Sequence, residues 1–115
     1  MTDSNNKVTL IGRVSAAPES RVLPSGDEVV SFRLIVARSA SALRRSKQRV
    51  DTFECSAWTA KVRRSVRGLE AGREVVVTGE LRRRFSRGEA GAVSRVTVDV
   101  DSCVRATPPA VASGS

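Results

Sequence analysis

From Lys7 to Val14 (KVTLIGRV) apolar and polar positions alternate closely enough for a β-strand, with Gly12 in its interior. A glycine there leaves room for the bend that curls a strand into a barrel. Pro18 and the run Pro24-Ser25-Gly26-Asp27 are turn chemistry and bracket a short extended piece at 20–23. The second main strand spans Val29 to Arg38. Its period of two sets Val30, Phe32, Leu34 and Val36 on one face and Ser31, Arg33, Ile35 and Ala37 on the other. Ser39 to Arg49 (SASALRRSKQR) loses the pattern and is expected to form a flexible hairpin arm.

A third strand runs from about Val50 to Thr59. From Ala60 to Leu69 the period changes: Val62, Val66 and Leu69 recur at helical spacing, with Lys61, Arg63, Arg64 and Arg67 around the outside. Gly68 and Gly72 mark the end of this short helix. Arg73 to Phe85 begins as a valine-rich fourth strand and becomes a basic limb, Arg82-Arg83-Arg84-Phe85, before a second hairpin tip at 86–92. In the fifth strand, Val93 to Val104, Val96, Val98 and Val100 face one way and Arg95, Thr97 and Asp99 the other.

Five main strands with one short helix between the third and fourth is the order of the OB-fold, a partly open Greek-key barrel. The expected class is therefore all-β, a five-stranded OB-fold barrel with extended basic hairpins, and another small barrel is the competing architecture. The chain of 115 residues suits one domain. The polar residues 1–6 are expected to be disordered, 7–105 to form the OB domain and 106–115 to be a flexible tail. No apolar run is long enough to cross a bilayer, and MTDSNNK lacks the apolar core of a signal peptide, so a soluble cytoplasmic protein is expected.

Charge narrows the partner. Twenty Lys and Arg against twelve Asp and Glu give a net charge of +8. All the cations except Lys7, Lys47 and Lys61 are arginine. Guanidinium forks onto phosphate oxygens and stacks on flat bases, so this balance favours a polyanion over a merely solubilising surface. Enzymatic chemistry is disfavoured. Histidine is absent, Glu19, Asp27, Glu70 and Glu89 are scattered near turns or element ends, and no phosphate-binding glycine loop appears. Two cysteines, Cys55 and Cys103, without any His cannot make an ordinary four-ligand zinc site. Both fall in strands and read as reduced core fillers, so no metal or cofactor is expected.

Several stretches in order carry a resemblance to a known family: NKVTLIGRV, PESRVLPSGDEVVSFRLIVAR, DTFECSAW followed by a basic helix, and GREVVVTGELRRRF. Together they resemble the bacterial single-stranded DNA-binding proteins over about Lys7 to Arg105. The resemblance implies a homotetramer that binds and protects single-stranded DNA in replication, recombination and repair. Many members of that family end in a long tail whose acidic tip recruits partner enzymes. The stretch TPPAVASGS has no acid, so tail-mediated docking of partners is not expected from it.

Single-strand binding needs a positive track for phosphates and flat side chains for bases. Arg38, Arg44, Arg45, Lys47 and Arg49 load one hairpin, Arg82, Arg83, Arg84 and Arg87 the other, and Arg33 points from the polar face of the second strand. Aromatics are few: Phe32, Phe53, Trp58 and Phe85. Family members stack DNA on two aromatics of the third strand that share a face. Here Phe53 and Trp58 are five residues apart, on opposite faces of a regular strand. Phe53 shares its face with Cys55 and Ala57 and is expected in the core; Trp58 follows Thr52, Glu54 and Ser56 and is expected on the DNA face. Phe85, at the end of the basic limb, is the second expected stacking residue. An RNA-binding or primosome-type OB module and a soluble scaffold module are the competing functions.

Overall fold

The computed structural model describes residues 4–88 and 91–106. It is built from β1 (Val8–Val14), β2 (Glu19–Val22), β3 (Glu28–Ala37), α1 (Ala40–Leu43), β4 (Val50–Ala57), α2 (Ala60–Arg67), β5 (Glu74–Gly88) and β6 (Gly91–Arg105). Residues 1–3 and the expected tail beyond Ala106 lie outside the described residues.

All six strands belong to one sheet in the order β1-β5-β6-β4-β3-β2, and β1 also pairs with β3, which closes the ring. The closure explains Gly12. Where Arg13 and Val14 of β1 cross onto Ile35 and Leu34 of β3, a Cβ on Gly12 would run into the Ile35 carbonyl oxygen. Only a residue without a side chain lets the two backbones approach that closely. The five main strands and the helix between the third and fourth stand where the hydrophobic pattern places them, and the all-β OB architecture is the observed one.

The core is the barrel lumen. Val30, Phe32 and Leu34 of β3, Cys55 and Ala57 of β4, Val75 and Val77 of β5 and Val98 and Val100 of β6 are buried in one cluster. Helix α2 stoppers one end of it with Val62 and Val66. Thr59 caps this helix, its hydroxyl accepting from the Val62 amide, a contact worth about 1 kcal/mol. The helix ends at Arg67, shorter than its apolar spacing implies, yet Leu69 still reaches the core through the turn in which its amide donates to the Val66 carbonyl. Cys55 and Cys103 are free thiols in this core, and burial pushes them up to about 12 and about 11 respectively.

Three further features depart from the sequence pattern. The hairpin arm after β3 is not irregular throughout. Ala40–Leu43 forms one helical turn because the Ser39 hydroxyl accepts from the Ala42 amide and the residues after it are good helix formers. Second, the alternation along β6 does not persist to its end. Thr78 pairs with Ser102 but Gly79 pairs with Val100, leaving Asp101 unmatched in a β-bulge. The extra residue exchanges the two faces, so Cys103 turns inward and Val104 outward. The tip expected at 86–92 is also tighter: β5 continues to Gly88 and β6 starts at Gly91.

Candidate nucleic-acid interface

The polar faces of β3, β4 and β6 lie side by side on the barrel's outer surface. Ser31 stands opposite Ser56, Arg33 opposite Glu54, and Ser56 beside Asp99 across the parallel β4–β6 pair. Small side chains there lower the surface between the β2–β3 turn and the base of the β5–β6 hairpin. The resulting groove, about 340 Å³, is walled by Trp58, Phe85, Arg84, Arg95, Arg21 and Leu23, with Ser31, Ser56 and Thr97 among its floor residues. A second concavity of about 380 Å³ shares Ser31 and Glu54 with the first and extends past Arg33 towards Ser15 and Glu19. The two concavities adjoin at Ser31 and Glu54.

Trp58 follows the end of β4 on the outer face, as its parity requires, and is partly buried. Its indole Nε1 donates to Asp99 Oδ1 at 3.2 Å, and its carbonyl accepts from the Arg63 guanidinium, which also donates to the Glu28 carbonyl. Arg63 thus anchors the strand end to α2. Phe53 shares the inward parity of Cys55 but is only partly buried and stands outside the core cluster. Phe85, by contrast, is 71% exposed at the groove wall. An exposed phenyl beside an indole is a surface on which flat rings stack.

The expected basic residues fall into separate groups. Arg84 enters the groove, and its guanidinium carbon stands 5.4 Å from the centroid of the Trp58 ring. Arg82 reaches Asp99 Oδ2 at 3.0 Å and Glu80 at 3.3 Å, whereas Arg83 donates to the Ser94 hydroxyl at 2.7 Å. Arg33 lines the second concavity. Arg44, Arg45, Lys47 and Arg49 are exposed on the β3–β4 arm and do not line either concavity. Arg38 stands at the foot of that arm in a two-pronged pair with Asp51, at 2.8 and 3.0 Å. Those hydrogen bonds hold the Asp51 carboxyl below its ordinary range. Arg87 belongs to β5, and its side chain lies outside the description.

The groove also contains residues that pattern reading passed over. Arg95 faces Arg84 across the hairpin and pairs with Glu54 at 3.1 Å, and Arg21 comes from the short β2. Thr97 is only 3% exposed, and its hydroxyl has no partner among the described residues, so the floor holds an unused hydrogen-bonding group. The alternation of β6 already put Arg95, Thr97 and Asp99 on one face; what it lacked was the knowledge that this face adjoins Trp58.

The single-strand binding protein family model matches residues 5–105. Single-stranded DNA-binding proteins are similar to the chain in sequence: that of Bacillus cereus is 31% identical over 86 residues, covering 75% of this chain and 50% of the relative. Single-stranded DNA-binding protein 3 of Listeria innocua is 30% identical over 100 residues, covering 87% and 62%. The chain therefore spans about half the length of the first of these relatives and under two thirds of the second. Among solved structures, the Plasmodium falciparum SSB in complex with ssDNA shares the fold, with a TM-score of 0.76 and 22% identity over 93% of this chain and 99% of that one.

Proposed function

Because the chain belongs to the single-strand binding protein family, we propose that it binds and protects single-stranded DNA without catalysing a reaction, in the cytoplasm at the nucleoid. The observation that carries this reading is the groove in which Trp58 and Phe85 stand among Arg21, Arg84 and Arg95. Each aromatic offers a face to any base, a contact worth about 1–3 kcal/mol per base. The guanidiniums supply the phosphate contacts, and the basic β3–β4 arm extends the positive track beyond the groove. Protection of exposed strands in replication, recombination and repair follows from binding that ignores sequence.

Oligomer formation belongs to the same proposal. Across β1, β5 and β6, Ile11 pairs with Val76 and Val76 with Val104. Ile11 is 59% and Val104 58% exposed, so an apolar stripe crosses the outside of three strands. A tetramer covers that stripe. Light scattering is expected to give a mass of several chains, and Ile11→Asp to reduce it.

The binding reading is tested by titrating the protein with oligo-dT while following the fluorescence of its one tryptophan. Quenching is expected, with log affinity falling against log salt at roughly −0.7 per phosphate contacted. Tighter retention of RNA than of oligo-dT at equal salt points to an RNA-binding module, and an affinity indifferent to salt rules out a phosphate track.

A further inference from the structure

One face of the Trp58 ring carries a guanidinium in the free protein. It is that of Arg84, and one carboxylate holds both groups. Asp99 Oδ1 accepts from Trp58 Nε1 at 3.2 Å and from Arg84 at 3.0 Å, while Oδ2 accepts from Arg82 Nε at 3.0 Å. The topology makes this convergence. The parallel pairing of Ser56 with Asp99 brings Asp99 to the end of β4, two residues before Trp58. Across the hairpin, Arg82 and Arg84 face Thr97 and Arg95, the residues of β6 on the Asp99 face. Gly79 lets β5 pass close to the Asp99 carbonyl, which any Cβ there would strike.

A carboxylate that gathers two guanidiniums and an indole N–H beside a stacking surface has the hydrogen-bonding character of a backbone phosphate. The Asp99 side chain is 20% exposed and its arginines are 48% and 42% exposed, so the ion pairs are partly solvated and easily exchanged. We propose that Asp99 is a positioning residue for nucleic-acid binding: it holds Arg84 on the Trp58 face in the free protein and yields Arg82 and Arg84 to phosphate when a strand enters. A base then takes the place of Arg84 on the indole. The device keeps one face of the ring covered and the arginines aimed into the groove, at the cost of a competing anion there. It rests on the reading that this groove takes single-stranded DNA.

The test compares Asp99→Asn with Asp101→Asn in the full chain. Asparagine at 99 retains an oxygen for Trp58 Nε1 but no charge to hold the arginines. Asp101 is an exposed acid on the same strand outside this cluster, and its replacement removes the same formal charge. Without DNA, Asp99→Asn is expected to shift the Trp58 emission and Asp101→Asn to leave it unchanged. With oligo-dT, Asp99→Asn should bind about fivefold to tenfold more tightly than wild type, as loss of two competing ion pairs predicts, against less than about twofold for Asp101→Asn. In an Arg84→Gln background the advantage of Asp99→Asn should shrink.

Wild type that binds oligo-dT while the two asparagine variants behave alike overturns the role of Asp99 and leaves the binding reading standing. Wild type that does not bind oligo-dT overturns the binding reading itself. Should Asp99→Asn fail to fold, Arg84→Gln decides alone. Arg84 is an exposed side chain, and its removal must shift the emission of free Trp58; an unshifted spectrum overturns the proposal.

Discussion

Two basic hairpins leave the barrel, and they hold their charge in different ways. On the β3–β4 arm, Arg44, Arg45, Lys47 and Arg49 are exposed and form no ion pair among the described residues. At the base of the β5–β6 hairpin, Arg82, Arg84 and Arg95 are each engaged by a carboxylate, Asp99 or Glu54. Free charges on a protruding arm act at long range and are screened by salt. Paired charges around an aromatic act through geometry, because their directions are set before a ligand arrives. Under the proposed binding role, the arm would capture a strand and the groove would seat it.

Substitutions in the groove and on the arm should separate the two roles. Trp58→Ala removes the seat. Oligo-dT affinity should fall by about 1–3 kcal/mol, roughly fivefold to 150-fold, with thermal unfolding little changed since Trp58 is outside the core. Loss of the folded state instead would make Trp58 a structural residue and erase the contrast. Gly79→Ala attacks the groove from beneath by pushing β6 away at Asp99. Overpacking of this kind should cost about 1–3 kcal/mol of stability in denaturant unfolding, while leaving the arm untouched.

Neutralising the arm, with Arg44, Arg45, Lys47 and Arg49 all changed to Gln, should produce the opposite signature. Affinity falls by no more than about tenfold at physiological salt, and the slope against log salt becomes shallower by about 1. Tryptophan quenching at saturation should be unchanged. A reduced quench would mean that the arm also seats bases.

The effect that is smallest near neutral pH concerns the core beneath both regions. Burial raises the thiols of Cys55 and Cys103 from 9.0 to about 12 and about 11. The folded state therefore retains these protons after the unfolded chain has lost them. Their contribution to stability is therefore fully present below pH 9 and is lost as pH rises towards 11–12. Thermal melts at neutral pH should be indifferent to small pH changes, and alkaline melts should show falling stability. Thiol reagents should react slowly with the native protein and fast once it unfolds.

Much of the architecture was legible because it is written in local periodicity. Val30, Phe32 and Leu34 repeat at two and line the lumen, Val62 and Val66 repeat at helical spacing and plug it, and Gly12 signalled a bend within β1. Parity alone separated Trp58 from Cys55 and Ala57. Parity was a poorer guide to Phe53, whose inward-facing side chain is only partly covered near the arm end of β4. The helical turn at Ala40–Leu43 was hidden because a one-turn helix has too short a pattern to register and depends on a single cap from Ser39.

The chain by itself determined its strands, its short helix, its excess of arginine and the outward direction of Trp58, since each depends on neighbours in sequence. The tertiary structure decided which cations meet the ring. Trp58 and Asp99 are 41 residues apart, and only the parallel β4–β6 pairing joins them. The bulge at Asp101 and the closure of β1 on β3 likewise arise where backbones must fit one another, a constraint that no run of neighbouring residues expresses. Charge could be counted from the sequence, but its pairing required the fold.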